Sequence, residues 1–292
     1  MTVKNGMPFL PYALESVAVQ SYRDFELVVQ DGASTDGTLE LFQRYADDAR
    51  LKHQLRLVSE QDESLAEAKM RAMRRCRGAI IGSIDSDNML EPDCLAAIAQ
   101  FFQKNPSYAA IYGAQHMIDE SNNVLSDFTP GPFILIDHLE CSLVPPFGSS
   151  YFQRSLVGDR ILPALDLLYC ADFELWLNIS DLPIQSTSMY LARTRISKSS
   201  ITCRPQTYER SCLDKITAIR RFFERNPKSR IMDELRVRSE AGVYLWAAES
   251  IKFHFPSENS DLYFLHYLKK AVEILPDSKR AWQLMQRAGI NL

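Results

Sequence analysis

The first hundred or so residues alternate between strand and helix patterns, and this alternation limits the fold more than any other feature. Short apolar runs, typical of buried strands, occur at residues 25–30, 55–59, 79–84 and 109–112. Apolar residues spaced three or four apart, typical of helices, occur at residues 8–20, 38–45, 65–77 and 92–104. Repeated β-α-β units predict an α/β fold with a Rossmann-like, mostly parallel sheet flanked by helices.

The pattern changes at both ends of this region. Residues 1–6 are typical of the end of a strand and its loop, so we expect most of a first strand to be missing from the sequence. From about residue 205 only helix patterns remain, at 213–223, 232–253 and 262–274. We therefore predict two domains, residues 1–205 and a helical C-terminal appendix at residues 206–292.

Composition excludes several classes of protein. The 292 residues carry a net charge of −4, which argues against a general nucleic-acid binder. No apolar run reaches the roughly 20 residues that span a bilayer, and no signal-peptide core is present, so we predict a cytoplasmic protein. The six cysteines have no CxxC spacing and are expected to be reduced thiols. GxSxG, GxGxxG and Walker A motifs are missing, which disfavours hydrolases, dinucleotide enzymes and NTPases.

Acidic side chains follow three of the predicted strands. Asp31 ends the first run, Asp62 follows the second, and the triplet Asp85-Ser-Asp87 follows the third. Because the carboxyl ends of parallel strands lie at one edge of a sheet, these carboxylates are expected at a common ligand-binding edge. Paired carboxylates suit Mg²⁺ or Mn²⁺ bridging to a substrate diphosphate, and Asp31 is suited to accept hydrogen bonds from a base or ribose.

Each acidic group also has a structural interpretation. Asp87 is a candidate cap of the helix that follows, and the acidic stretch around Asp62 is a candidate solvated surface. Asp172 lies in the segment CADFELWL and is a candidate general base, a helix N-cap, or both. The five histidines show no metal-binding spacing and receive no role.

In combination the motifs resemble glycosyltransferase family 2, whose enzymes have the GT-A fold. The matching segments follow the family's order: residues 2–8, SVAVQSY at 16–22, FELVVQDGASTDGT at 25–38, EQDESLAEA at 60–68, GAIIGSIDSDN at 78–88, YG at 112–113 and CADFELWL at 170–177. The resemblance covers about residues 1–204. Each segment alone is a weak signal, but their ordered combination is specific.

The resemblance implies roles for matching positions. Thr2, Asn5, Asp31, Asp62 and Asp85 would contact the nucleotide. As the second carboxylate of the DxD motif, Asp87 would hold Mg²⁺ or Mn²⁺, and Asp172 would be the catalytic base.

The implied reaction is an inverting, hexosyltransferase-type transfer from a nucleotide-diphosphate sugar, with UDP as the expected nucleotide. The acceptor would be a glycan or a lipid-linked molecule. The enzyme would act in polysaccharide biosynthesis at the cytoplasmic face of the membrane. A peripheral membrane contact is compatible with this role, but the basic pairs are too few to predict one; they are Lys269-Lys270 and Lys279-Arg280.

The sequence departs from the family pattern at three places. Ser64 replaces a glycine, residues 70–72 read MRA in place of NKG, and Ser197 replaces a histidine within residues 195–202. These departures motivate alternatives: a non-catalytic nucleotide-sugar binding module, or a protein-interaction module led by the helical region. A nucleotidyltransferase, which would share the sheet and the carboxylates, is a further alternative.

Overall fold

The computed structural model describes residues 1–197, 205–226, 229–254 and 259–290. The chain divides into two compact units, one of residues 1–133 and 145–197, the other of residues 134–144 and 198–292. The first unit contains the strands, and every described residue of the second unit that has regular structure is helical.

A small parallel sheet opens the first unit. It consists of β1 (Thr2–Val3), β2 (Leu27–Asp31) and β3 (Leu55–Ser59), in the order β1-β2-β3. Every residue of β2 is buried, as expected for a central parallel strand. The register places Val3 opposite Asp31 and Asp31 opposite Ser59, so the three strands end at the same level.

A second sheet has six strands, in the order β4-β8-β6-β9-β5, with β7 paired to β6. The strands are β4 (Ile80–Gly82), β5 (Met89–Leu90), β6 (Ala110–Ile118), β7 (Val124–Phe128), β8 (Ser150–Gln153) and β9 (Ile184–Arg195). Only β6 and β9 pair in parallel; the other four pairs are antiparallel. Parallel pairing thus occurs throughout the first sheet and at one position of the second.

In the first unit a helix follows each of β1, β2 and β3, which confirms the predicted α/β class. The helices of this unit are α1 (Leu10–Ala18), α2 (Thr38–Asp47), α3 (Leu65–Arg75), α4 (Cys94–Lys104), α6 (Arg154–Val157) and α7 (Ala171–Asn178). α3 begins with reciprocal caps, since Ser64 Oγ accepts from Glu67 N–H and Glu67 Oε2 accepts from Glu63 N–H. Ser64, which replaces the family glycine, therefore has a structural role.

The second unit contains α5 (Leu135–Leu139), α8 (Pro205–Arg225), α9 (Arg230–Glu249), α10 (Ser260–Ile274) and α11 (Lys279–Arg287), with a π-helical turn at Ser250–His254. The three helices predicted after residue 205 are confirmed, although α8 begins earlier than its apolar pattern. Within the described ranges, no helix is both long and apolar enough to cross a membrane. Of the predicted thiols, Cys76, Cys94 and Cys141 are free cysteines, and Cys203 lies outside the described residues.

Candidate functional site

The loop after β2 is built around the carboxylate of Asp31, which is fully buried. Asp31 Oδ2 accepts from Ser34 N–H at 3.1 Å and from Ser59 Oγ–H at 2.6 Å, and Oδ1 accepts from Ser34 Oγ–H at 2.5 Å. These bonds fix the turn that follows β2 and tie it to the end of β3. Asp31 therefore lies at the predicted edge, with its carboxylate held by neighbouring protein groups.

Asn5 connects the loop after β1 to the same turn. Its Oδ1 accepts from Thr35 N–H at 2.9 Å, and its own N–H donates to Ser34 Oγ at 2.7 Å. The backbone of Asn5 is left-handed, with φ of 54°, a conformation that asparagine tolerates better than most residues. Thr2 lies in β1 opposite Gln30 of β2. Both predicted N-terminal contacts are thus adjacent to the turn of Asp31.

Asp62 lies over the same turn. Its Oδ1 accepts from Gln30 Nε2 at 2.9 Å and lies 3.3 Å from Arg71 Nη1. A Cβ added to Gly32 would lie 3.4 Å from Asp62 Oδ2, so Gly32 lets the carboxylate come close to the backbone. Burial raises the pKa of Asp62, and the attraction of Arg71 does not offset it. The acidic stretch is thus not a simple solvated face.

Arg71, in the place of the family lysine, neutralises this acidic stretch. Its guanidinium lies 2.7 Å from Glu67 Oε1 and 3.4 Å from Glu60 Oε1, besides its contact with Asp62. Arg75 adds a second cation, 2.7 Å from Glu60 Oε1. The departure from the family pattern at residues 70–72 therefore preserves a positive charge at the edge of the sheet.

Asp85 and Asp87 occupy a turn that follows β4. Asn88 closes the turn, since its N–H donates to Asp85 O at 3.2 Å and its Nδ2 donates to Asp85 Oδ2 at 3.3 Å. Burial, and next the charge of Asp85, raise the pKa of Asp87, although Arg195 and Lys69 oppose them. A carboxylate whose ionisation is opposed by burial and by a neighbouring carboxylate gains from a cation that both can share.

Arg195, at the end of β9, anchors this turn. Its side chain donates to Asp87 O at 2.9 Å, Asp119 O at 2.6 Å and Asn122 Oδ1 at 2.7 Å, and its N–H donates to Asn88 Oδ1 at 2.8 Å. The guanidinium carbon lies 4.4 Å from the centre of the Phe9 ring. Burial lowers the pKa of Arg195. Its three polar contacts fix the guanidinium as a structural part of the turn.

Asp172 lies in the first turn of α7, where its Oδ1 accepts from Phe173 N–H at 3.0 Å. The N-cap is Cys170, so the interpretation of Asp172 as the N-cap was wrong. Asp172 lines a small cavity of about 70 Å³ together with Leu65, Lys69 and Phe147. The predicted base therefore lies beside a small, partly open cavity.

Lys69 of α3 lies close both to Asp85 and to the cavity that Asp172 lines. Its Nζ lies 3.8 Å from Asp85 Oδ1, and its side chain lines the cavity of Asp172. A second cavity, of about 30 Å³, brings Lys69 together with Thr2 and Ser83. Sequence analysis assigned no role to Lys69, because nothing in its local pattern distinguishes it from a surface cation. It placed Arg195 at the start of the family segment at residues 195–202 but gave it no role.

The Asp85–Asp87 pair fits a divalent cation only as a partial ligand set. Across the described ranges, no group of three or more His, Cys, Asp or Glu side chains is arranged to hold a metal ion. Mg²⁺ and Mn²⁺ accept oxygen ligands from phosphates and water, so two carboxylates suffice when a phosphorylated ligand completes the site. Ser197, in the place of the family histidine, is buried and supplies no imidazole.

Comparisons with solved structures identify the fold. The S. aureus protein TarS (residues 1–349), solved in complex with UDP-GlcNAc, superposes with a TM-score of 0.65 at 16% identity, over 97% of this chain and 82% of that one. The mannosyltransferase PcManGT from Pyrobaculum calidifontis, solved with GDP-Man and Mn²⁺, gives a TM-score of 0.61 at 19% identity, over 99% and 77% of the two chains. The protein has the predicted GT-A fold.

Sequence comparisons identify the family. Chondroitin synthase of Escherichia coli is 31% identical over 141 residues, which are 48% of this chain but only 20% of that protein. An uncharacterized glycosyltransferase of Rickettsia bellii is 22% identical over 95% of this chain and 39% of its own length. The sequence model of "Glycosyl transferase family 2" matches residues 1–151, more than half of the chain. The protein belongs to glycosyltransferase family 2.

Proposed function

We propose that this protein is an inverting glycosyltransferase that moves a sugar from a UDP-sugar to a hydroxyl of a glycan or lipid-linked glycan. The family supports sugar transfer in general. The observation that carries the finer proposal is the position of Lys69, which lies beside Asp85 and lines the cavity of Asp172. A candidate base and a candidate diphosphate site are therefore neighbours on one surface of the first unit.

In this mechanism Asp172 accepts the proton of the acceptor hydroxyl while the hydroxyl oxygen attacks the anomeric carbon. The bond from that carbon to the donor phosphate breaks, its electron pair leaves with the nucleoside diphosphate, and the configuration inverts. General-base catalysis of this kind contributes about 10² to 10⁴ in rate.

Asp85 and Asp87 would hold Mg²⁺ or Mn²⁺, whose chemistry is to neutralise the charge that develops on the leaving diphosphate. Asn88 and Arg195 keep the turn of this pair in place through three hydrogen bonds to Asp85 and Asp87 and one hydrogen bond to each other. Asp31, Asp62, Thr2 and Asn5 are proposed to form or support the nucleotide pocket at the end of the first sheet. A cytoplasmic site of action, at the inner face of the membrane, stays a prediction.

The test separates binding from chemistry with two variants. Calorimetric titration of UDP, with and without Mn²⁺, is expected to show metal-dependent binding that Asp87→Ala abolishes. Asp172→Asn is expected to keep that binding and to lose transfer from a UDP-sugar by at least about a hundredfold. A preference for GDP over UDP would change the donor and keep the reaction class. Absence of binding to either nucleotide would contradict the proposal.

A further inference from the structure

Two cations face the Asp85–Asp87 pair, and they are held very differently. Arg195 is 2% exposed and has three side-chain hydrogen bonds to oxygens of the protein. Lys69 has a side chain 23% exposed, and its contact with Asp85 is long, at 3.8 Å. One cation is therefore fixed in the structure, and the other is free to turn.

The surroundings of Lys69 offer its ammonium more than one position. Its Nζ lies 5.0 Å from the centre of the Phe147 ring, within range of a weak cation–π attraction. The side chain also lines both small cavities, one shared with Asp172 and the other with Thr2. An ammonium group on a flexible four-carbon stem moves among such positions at little cost.

We propose that Lys69 is a displaceable counter-ion: its ammonium neutralises the Asp85–Asp87 pair in the metal-free protein and turns to the donor diphosphate when a divalent cation occupies the pair. This inference rests on the proposed function. It assigns Lys69 a role in both the metal-free and the substrate-bound states.

Charge balance is the physical argument. Lys69 and a divalent cation repel each other, so they do not share the two carboxylates at close range. The donor diphosphate and the two carboxylates together carry more negative charge than one divalent cation neutralises, and Lys69 is the mobile positive group beside the pair. Ammonium–phosphate contacts are charge-assisted and strong where water is partly excluded. The displaced Lys69 therefore gains a partner only after the nucleotide has bound.

The test is Lys69→Met, which keeps most of the stem and removes the charge. We expect Mn²⁺ alone, titrated by electron paramagnetic resonance, to bind about threefold to tenfold more tightly, because its competitor is gone. We expect UDP in saturating Mn²⁺ to bind about tenfold more weakly, because its phosphates lose a cation. Uridine, which has no phosphate, should bind equally to both proteins.

Lys69→Arg and Lys52→Met are matched controls. The first keeps the charge and should leave Mn²⁺ affinity close to that of the wild type. The second removes the charge of an exposed lysine of the same unit and should change neither affinity. Thermal unfolding of each variant checks that the fold is retained.

Affinities for Mn²⁺ and UDP that move in opposite directions in Lys69→Met support the proposal. Unchanged affinities, affinities that both fall, or an absence of Mn²⁺ binding in both wild type and Lys69→Met overturn it. If the wild type binds UDP in the presence of Mn²⁺, and Lys69→Met binds Mn²⁺ and UDP with the affinities of the wild type, only this inference fails. If neither protein binds UDP, the proposed function fails, and the titration with Mn²⁺ alone still tests the counter-ion.

Discussion

Asp36 and Asp87 lie in turns of the same unit, yet their surroundings move their pKa values in opposite directions. Burial raises the pKa of Asp87, and the neighbouring Asp85 adds to the effect. At Asp36 burial also acts to raise the pKa, but hydrogen bonds from Thr38 and from Met7 N–H prevail and lower it. The fold therefore stabilises the charged form of Asp36 and destabilises the charged form of Asp87.

These directions predict opposite responses to pH in the metal-free protein. Asp87→Asn should raise the free energy of unfolding at neutral pH, and the gain should shrink as the pH falls through the raised pKa of Asp87. Asp36→Asn should lower the free energy of unfolding at neutral pH. That loss should shrink as the pH falls below about 3.9, the ordinary value, and through the lower folded pKa. Urea unfolding from neutral pH to about pH 3 measures both. Effects of the same sign at neutral pH would contradict the assignment.

At the scale of elements, the strands that the sequence predicted are those whose apolar pattern is complete. β2 and β3 were predicted within two residues, because each is a short apolar run bounded by turn residues. β9 was not predicted, since its sequence IQSTSMYLARTR alternates weakly and carries many polar residues. Its long pairing with β6 gives it a place in the sheet that its own residues do not specify.

Helix α9 carries a second element-scale feature, a close approach at Gly242. A Cβ added there would lie 2.4 Å from the carbonyl oxygen of Glu140, which follows α5 in the same unit. Such a distance is inside the van der Waals contact, so α9 or the segment of Glu140 would have to shift. The glycine therefore allows this backbone contact at a helix position where alanine would otherwise be preferred.

We expect Gly242→Ala to lower the free energy of unfolding by about 1–3 kcal/mol, since overpacking outweighs the gain in helix propensity. The control is Gly148→Ala, where the nearest atom to an added Cβ lies 3.9 Å away. Urea unfolding followed by circular dichroism compares the two. A Gly242→Ala protein as stable as the Gly148→Ala protein would show that the backbone contact is absent in solution.

At the scale of the whole molecule, the two units interleave along the chain. Residues 134–144 leave the first unit and pack with the C-terminal helices, so the helical unit is not one continuous segment. Leu139 is fully buried, and Arg280 donates to Glu140 O at 2.9 Å. The predicted boundary at residue 205 therefore matches the point where the C-terminal helices begin along the sequence. The division of the chain into two domains at that residue stays a prediction.

This interleaving predicts how truncation affects the protein. A chain that ends at residue 205 would leave residues 134–144 without the C-terminal helices of their own unit, so we expect association and a lowered melting temperature. Replacement of residues 134–144 in that truncated chain by a Gly/Ser linker of equal length should reduce the association. Size-exclusion chromatography and thermal unfolding measure both. Equal association with and without the linker would contradict the prediction.

The sequence by itself determined the α/β class, the helical C-terminal region and the acidic residues that follow the strands, because period and turn residues are local properties. Asp31, Asp62, Asp85 and Asp87 could be found this way. Only the tertiary structure decided the antiparallel pairing of the second sheet and the packing of residues 134–144. It also brought Lys69 beside Asp85 and Arg195 beside Asp87, across 16 and 108 positions of the chain. Contacts between residues so far apart depend on how whole elements pack, which no local pattern encodes.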